Sequence, residues 1–185
     1  MRVIAGDKRS MPLKTPKGDD TRPTSDRYKE TLFNVIQEDI PDARFLDLFA
    51  GSGGIAIEAL SRGAKEAVLV ENNRNAIACI KENLEFTHLK EKAVLMESDV
   101  LAAIGRLKGR GRFDIIFMDP PYSQGFYEPV IRAITDADIL KSSGMLICET
   151  LLDTDMSFVS QYGLNTYKIK EYKTNKHVFL VVNNS

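Results

Sequence analysis

The segment RFLDLFAGSGG (44–54) decides the fold, because a short apolar run there ends in an acid and a glycine turn. Residues 55–62 follow with a helical pattern, which Gly63 ends. A strand, a glycine turn and a helix in this order predict the first β–α unit of a parallel sheet. Gly51 and Gly53 would let the backbone turn sharply and let a ligand approach where a Cβ atom would collide.

Strands and helices alternate along the rest of the chain. The predicted strands are 44–50, 67–70, 93–96, 113–118 and 145–148, and the predicted helices are 25–38, 55–62, one capped by Asn73, and 126–140. Segments 165–170 and 177–182 alternate without an intervening helix, which predicts an antiparallel hairpin. The sequence therefore predicts an α/β protein with a Rossmann-like, doubly wound, mostly parallel sheet of seven strands and an antiparallel C-terminal hairpin.

Composition limits the class of protein. The chain has 185 residues, with 25 Lys and Arg against 26 Asp and Glu, which excludes a uniformly basic coat protein and a highly charged disordered chain. It has no apolar run of about 18 residues, and residues 1–10 lack the apolar core of a secretory signal. We expect a cytoplasmic globular protein without a membrane span. His88 and His177 have no ligand partners at useful spacing, so we expect no metal.

Charge is concentrated at the N-terminus. The first 18 residues contain one acid, Asp7, and the basic residues Arg2, Lys8, Arg9, Lys14 and Lys17. A locally basic segment on a nearly neutral body suits contact with a phosphate backbone. We therefore predict a basic, RNA-contacting N-terminal arm over residues 1–23 and a sheet domain over residues 24–185.

Acidic residues end the predicted strands. Asp47 precedes the glycine turn, Glu71 lies 20 residues after Gly51, and Asp99 follows the third strand. In doubly wound sheets the ligand binds at these carboxyl ends, where Glu71 could accept from a ribose diol. Asp99 could accept from the amine of an adenine, or could simply cap the next helix. The glycine turn also fits a dinucleotide motif, but Asp47 would repel a pyrophosphate and attract a cationic amino group, which favours S-adenosylmethionine over NAD.

The motif DPPY (119–122) directly follows the apolar strand FDIIFM (113–118). Two prolines fix the backbone and remove two N–H donors, so the groups left to face a ligand are acceptors. The Asp119 carboxylate and the Pro120 carbonyl could hold the two N–H groups of an exocyclic amine. Tyr122 offers a ring on which a base can stack. We therefore predict the catalytic residues to be Asp119, Pro120, Pro121 and Tyr122.

Several motifs together resemble a known family. DLFAGSG (47–53), EALSRGA (58–64), Val70-Glu71 and DPPY (119–122) look like the class I S-adenosylmethionine-dependent amino-methyltransferases. RVIAG (2–6), TRPTSDR (21–27) and ETLFN (30–34) narrow the resemblance to the RsmD family, the bacterial guanine-N2 methyltransferases of 16S ribosomal RNA. Segments 8–13 and 172–175 depart from the patterns usual in that family, and both lie outside the predicted cofactor site.

The resemblance implies a class I methyltransferase fold and a set of binding residues. For S-adenosylmethionine these are Asp47, Phe49, Ala50, Gly51, Ser52, Gly53, Glu71, Asn72, Asp99 and Val100. For RNA they are Arg2, Lys8, Arg9, Lys14, Arg22, Pro23 and Thr24. The implied partner is 16S ribosomal RNA or the small ribosomal subunit, assembled or assembling, and the implied enzyme is a monomer.

Two alternatives fit the same residues. DPPY suits any planar NH2 group, so the acceptor could be adenine N6 in DNA or RNA, or a glutamine amide in protein. The basic arm and the absence of a DNA-recognition domain favour RNA. A non-catalytic RNA-binding module of the same fold is the other alternative, and the intact Asp119 and glycine turn argue against it.

Overall fold

A seven-stranded sheet forms the centre of the protein, in the order β3-β2-β1-β4-β5-β7-β6. The computed structural model describes residues 1–16 and 26–183. The strands are β1 (Arg44–Asp47), β2 (Glu66–Glu71), β3 (Ala93–Glu97), β4 (Phe113–Met118), β5 (Leu140–Leu151), β6 (Leu164–Glu171) and β7 (Asn175–Val182). The helices are α1 (Asp26–Val35), α2 (Gly54–Ser61), α3 (Arg74–Phe86), α4 (Val100–Leu107) and α5 (Tyr127–Ala137), with short 3-10 helices at Lys90–Lys92 and Ser157–Tyr162.

Strands β1 to β5 are parallel, whereas β7 runs antiparallel to both β5 and β6. The predicted doubly wound sheet with an antiparallel C-terminal hairpin is therefore confirmed. The chain builds outward from β1 through β2 to β3 and then returns to place β4 on the other side of β1. The order in which the chain adds strands to the sheet consequently reverses between β1 and β4. Doubly wound folds bind their ligands at this point.

Some boundaries differ from the sequence prediction. The first strand ends at Asp47 rather than at residue 50, although the N–H groups of Leu48 and Ala50 still donate to Phe117 and Val70, both at 3.0 Å. The fifth strand is much longer than predicted, because it continues to Leu151 along β7. Helix α1 ends at Val35 rather than at residue 38, and its predicted first residue, Ser25, lies outside the described part of the chain.

Alternate residues of each central strand face opposite layers of the core. Leu46, Ile116 and Leu146 pack on the side of α4 and α5. Phe45, Ile115 and Ile147 pack on the side of α1, α2 and α3. Strands buried on both faces read as nearly continuous apolar runs, which explains why short apolar runs in the sequence located them.

The described N-terminal residues form a hairpin that packs on the sheet domain. In this N-terminal hairpin (residues 1–16), the N–H of Val3 donates to Met11 at 2.9 Å and the N–H of Leu13 donates to Met1 at 3.0 Å. Val3 and Leu13 belong to the same apolar core as α1 and α2. The predicted boundary at residue 23 lies outside the described residues and stays a prediction.

A buried ionic cluster fastens this hairpin to α2. The Glu58 carboxylate is fully buried and accepts from the backbone N–H groups of Ile4, at 2.8 Å, and Ala5, at 3.0 Å. It also pairs with Arg62 at 2.8 Å and with the buried Lys29 at 3.2 Å. Because each of its charges is paired, the cluster avoids the large cost of an isolated buried ion.

Cys148 is buried, while Cys79 is only partly buried. Among residues 1–16 and 26–183, no helix combines the length and apolar character that crossing a bilayer requires. In the same ranges no three His, Cys, Asp or Glu side chains form a group that could hold a metal ion.

Candidate active site

A cavity of about 810 Å³ opens at the carboxyl ends of β1, β2 and β4, at the point where the strand order reverses. Its size suits a nucleoside-type cofactor together with a base. Among its lining residues are most of those predicted from the sequence: Asp47, Phe49, Ala50, Gly51, Ser52, Glu71, Asn72, Asp99 and Val100, together with Asp119, Pro120, Pro121 and Tyr122. The structure thus brings the predicted cofactor and reaction residues into one space.

Gly53 is the exception among the predicted cofactor residues, because it does not line the cavity. Its φ is +81°, and a Cβ atom there would lie 3.2 Å from the Leu69 side chain and 3.4 Å from Ile80. The residue precedes α2 and lets that helix start close against β2 and α3. Gly53 therefore serves the packing of the turn, and its contact with a cofactor stays a prediction.

Glu71 holds the glycine turn in place. One carboxylate oxygen accepts from the N–H of Gly51 at 2.8 Å, and the other accepts from Asn72 and Asn73, both at 2.9 Å. The carboxylate thereby ties the end of β2 to the turn after β1. A carboxylate has about four acceptor positions, so it can still accept from ribose hydroxyls.

Asp99 caps helix α4. Its Oδ1 accepts from the N–H groups of Leu101, at 2.9 Å, and Ala102, at 3.2 Å. The side chain is exposed and lines the cavity, and its Oδ2 makes no hydrogen bond within the described part of the chain. The two interpretations of this residue are compatible, since one oxygen caps the helix and the other can face a ligand.

Asp47 is a buried acid without a hydrogen-bonded partner. It is 1% exposed, and neither carboxylate oxygen accepts a hydrogen bond from any described residue. Burial, and then the charge of Glu71, raise the pKa of Asp47 to about 7, although the nearby backbone N–H groups of Phe49 and Ala56, which do not reach hydrogen-bond geometry, partly offset this. An unpaired acid is costly to bury. The natural complement of this position beside the glycine turn is a cationic group of a ligand, such as the ammonium of S-adenosylmethionine.

The DPPY turn (119–122) also lines the cavity. Burial raises the pKa of Asp119 well above its usual range, and the charges of Glu149 and then Asp47 raise it further. The Tyr122 hydroxyl donates to Glu149 at 3.4 Å. Phe126 packs edge-on against Phe49 at 5.3 Å between ring centres, and both line the cavity. The predicted acceptors thus lie beside an apolar wall and a tyrosine ring.

Among the lining residues that sequence reasoning missed are Tyr28, Lys29, Glu149 and Asn175. Glu149 could have been found, because it ends the apolar run of the fifth strand as Asp47, Glu71 and Asp119 end theirs. Asn175 carries no such signal: it reaches the site because β7 lies beside β5, with Asn175 opposite Leu151.

The predicted RNA-contacting residues that the structure describes, Arg2, Lys8, Arg9 and Lys14, do not line the cavity. Arg2 pairs with Asp26 at 3.1 Å, and Lys14 pairs with Glu82. Lys8 and Arg9 form no ion pair within the described ranges, and Arg9 is exposed. Arg22, Pro23 and Thr24 lie outside the described residues. Met1, Thr15 and Pro16 of the hairpin line the cavity, so this segment borders the site without its basic side chains entering it.

Comparison with known proteins identifies the family of the chain. The family described as Conserved hypothetical protein 95 matches residues 1–182. YlbH of Bacillus subtilis is 37% identical over 174 residues, 89% of this chain and 95% of YlbH. Ribosomal RNA small subunit methyltransferase D of Escherichia coli K12 is 34% identical over 170 residues, 91% of this chain and 84% of that protein.

The structure of yhhF from Escherichia coli superposes with a TM-score of 0.88 at 31% identity, covering 100% of this chain and 99% of that one. This similarity confirms the predicted class I methyltransferase fold. The chain therefore belongs to the RsmD family, the family described as Conserved hypothetical protein 95.

Proposed function

We propose that this chain transfers a methyl group from S-adenosylmethionine to the N2 amine of a guanine in 16S ribosomal RNA. The observation that carries the proposal is that one cavity contains the glycine turn, the unpaired Asp47 carboxylate and the DPPY turn. A cofactor pocket and an amine-binding turn in one cavity are what such a transfer needs. Relatives named as small-subunit ribosomal RNA methyltransferases, similar over most of their length, support the choice of RNA.

On the cofactor side, the residues match the parts of S-adenosylmethionine. Asp47 would pair with its ammonium group, Glu71 would accept from its ribose hydroxyls, and Asp99 would accept from its adenine. When bound, the cofactor supplies a methyl group on a positively charged sulfur. Pairing Asp47 with a cation would also offset the cost of burying that acid.

On the acceptor side, Asp119 and the Pro120 carbonyl would accept from the two N–H groups of the amine. A base stacked on Tyr122 gains about 1–3 kcal/mol. The guanine must leave its own stack to enter, at a cost of a few kcal/mol. Once the amine is oriented, methyl transfer needs little more than alignment and an acceptor for the departing proton.

The N-terminal hairpin supplies basic side chains beside this cavity. Lys8 and Arg9 would contact RNA phosphates, and the hairpin would form the described part of an RNA-contacting arm over residues 1–23. We expect the enzyme to act in the cytoplasm as a monomer, on a small subunit that is assembled or assembling.

The test uses small ribosomal subunits from cells that lack an enzyme of this kind. The subunits are incubated with the protein and methyl-labelled S-adenosylmethionine, and the labelled nucleoside is identified after digestion. Label in N2-methylguanosine is the expected result. Label in N6-methyladenosine, or in protein, would overturn the guanine assignment while keeping the amine-binding turn. No label in any acceptor would overturn the proposal.

Asp119→Ala is the matched control for that reaction. We expect turnover to fall by about two or more orders of magnitude, because an amine acceptor is lost at the reaction centre. Calorimetry should show nearly unchanged cofactor affinity, since the cofactor residues are intact. A loss of cofactor binding would instead assign Asp119 to the cofactor.

A further inference from the structure

A row of polar side chains crosses three strands beside the DPPY turn. Met118 of β4 is paired with Cys148 of β5, so Asp119 and Glu149 follow at the same level on adjacent parallel strands. Glu149 is in turn paired with His177 of β7. Residues at the same level of a sheet project to the same face, so Asp119, Glu149 and His177 form a continuous row from the cavity into the core.

The Glu149 carboxylate has hydrogen-bond partners at both of its oxygens. It is 5% exposed, and one carboxylate oxygen accepts from the Asn175 amide at 2.5 Å and from the Tyr122 hydroxyl at 3.4 Å. Its other oxygen lies 3.1 Å from Nε2 of His177. A carboxylate can accept from all of these neighbours through its two oxygens. Glu149 is therefore held in a fixed position beside the DPPY turn, where its charge raises the pKa of Asp119.

His177 connects Glu149 to Tyr172. A carboxylate only accepts, so Nε2 of His177, 3.1 Å away, carries a proton and donates to Glu149. Nδ1 of His177 lies 2.9 Å from the Tyr172 hydroxyl. Burial raises the pKa of Tyr172, so this hydroxyl keeps its proton and can donate to Nδ1. The ring of Tyr28 packs on that of Tyr172, with 4.7 Å between the ring centres, and so holds Tyr172 in place beside His177.

We propose that Glu149 is a positioning residue whose fixed charge makes Asp119 the acceptor of the proton that the amine loses on methylation. This role rests on the proposed function. The nitrogen lone pair forms the new N–C bond, the S–C bond breaks with its electrons remaining on sulfur, and one N–H proton passes to Asp119. The positive charge lost from sulfur thus leaves with the proton, which Asp119 can later release to solvent.

The other groups around Asp119 favour the same outcome. Asp47 on β1 adds a second negative charge to the same cavity. Tyr122 and Tyr127 contribute neutral hydroxyls, and that of Tyr127 donates to the Glu149 carbonyl at 2.7 Å. The ammonium of Lys29, which also lines the cavity, is paired with Glu58. Proton affinity at Asp119 is therefore set mainly by burial and by the two acids.

The test compares Glu149→Gln with the wild type by carbon-13 NMR of the side-chain carboxyl groups, with Asp119→Asn to assign the Asp119 signal. Glutamine keeps the shape and an acceptor oxygen but removes the charge. We expect the titration midpoint of Asp119 to move to lower pH, because a like charge has been removed. The control is Glu128→Gln, which changes an exposed glutamate that accepts from Tyr162 at 2.8 Å and should leave the midpoint unchanged. An unmoved midpoint in Glu149→Gln would overturn the inference.

A kinetic measurement tests the consequence for the reaction. In Glu149→Gln the acid limb of the kcat–pH profile should move to lower pH, and the plateau should fall about tenfold or more because Asp119 is a weaker base. Tyr172→Phe keeps the aromatic ring that packs on Tyr28. We expect it to move the acid limb and the plateau in the same directions as Glu149→Gln does, but by smaller amounts. A purely structural role would lower the amount of folded enzyme without moving the pH limb, and that result would contradict the inference.

The two proposals can fail separately. The NMR midpoint needs no turnover, so a moved midpoint in a protein that methylates no acceptor would count against the methyltransferase function. An unmoved midpoint in an active enzyme would count against the role of Glu149 alone.

Discussion

At the residue scale, Asp47 shows a conflict between stability and binding. The side chain is buried, it has no hydrogen-bonded partner among the described residues, and its pKa is raised to about 7. An acid that holds its proton more tightly when folded than when unfolded destabilises the fold as the pH rises from about 4 to about 7. The free protein should therefore be more stable at pH 5 than at pH 8, as far as this residue is concerned.

Asp47→Asn should reduce that difference. Asparagine has no charge to bury, so thermal melts of the cofactor-free variant should lose less stability between pH 5 and pH 8 than those of the wild type, by up to a few kcal/mol. The same variant should bind S-adenosylmethionine more weakly, because the partner of the ammonium is lost. Equal pH dependence in the two proteins would mean that Asp47 ionises freely in the fold.

The acids at the strand ends also show which roles of single residues can be predicted from the sequence. Asp47, Glu71, Asp99 and Asp119 line the cavity as the sequence predicts. The sequence offers capping of the next helix as one interpretation of Asp99, but it does not indicate that Glu71 also fastens Gly51. Those bonds depend on backbone N–H groups whose directions exist only once the turn and the helix have formed.

At the element scale, the N-terminal hairpin is fitted closely to α2. The N–H of Asp7 donates to the Ser61 carbonyl, and that of Lys8 donates to the Ser61 hydroxyl, both at 2.9 Å. Gly6 permits this approach: its φ is +81°, and a Cβ atom would lie 1.9 Å from the Ser61 carbonyl oxygen. The sequence indicates the basic charge of this segment but not its docking, because Ile4 and its acceptor Glu58 are 54 residues apart.

Gly6→Ala should therefore separate the hairpin from α2. We expect a loss of about 3 kcal/mol from backbone strain and overpacking, which is a fall of roughly 6–12 °C in Tm for a chain of this size. Gly109→Ala is the matched control, with φ +76° and no atom within 4 Å of the added Cβ, and it should cost only about 1 kcal/mol. Equal losses in the two variants would mean that the contact with Ser61 contributes little.

At the scale of the whole molecule, the basic side chains of the N-terminal hairpin differ in whether they are paired with an acid. Lys14 pairs with Glu82, whereas Lys8 and Arg9 pair with no acid in the described ranges. A side chain already paired releases fewer counterions when RNA binds. The sequence alone treats these residues alike, because their acidic neighbours come from distant parts of the chain.

Arg9→Ala should therefore weaken RNA binding more than Lys14→Ala does. We expect the slope of log K against log salt concentration to become less steep by about one for Arg9→Ala and by less for Lys14→Ala. Filter binding of ribosomal RNA at several salt concentrations measures both slopes. If neither slope changes, the hairpin does not contact phosphates.

The order of the sheet is the part of the fold least accessible from sequence. Alternation of strands and helices predicts the parallel sheet, and the final two segments predict a hairpin. Their pattern does not say which of them pairs with β5. The structure places β7 in the interior and β6 at the edge, which brings Asn175 and His177 to Glu149.

The interior position of β7 has a consequence for synthesis of the protein on the ribosome. β7 is translated after β5 and β6, yet it lies between them in the sheet. Until it emerges, the nascent chain has an unpaired β5 edge and a Glu149 carboxylate without its Asn175 and His177 donors. Exposed strand edges invite misassembly and recognition by chaperones. A chain that terminates prematurely before residue 175 should therefore be cleared by proteases rather than persist as a partly active enzyme.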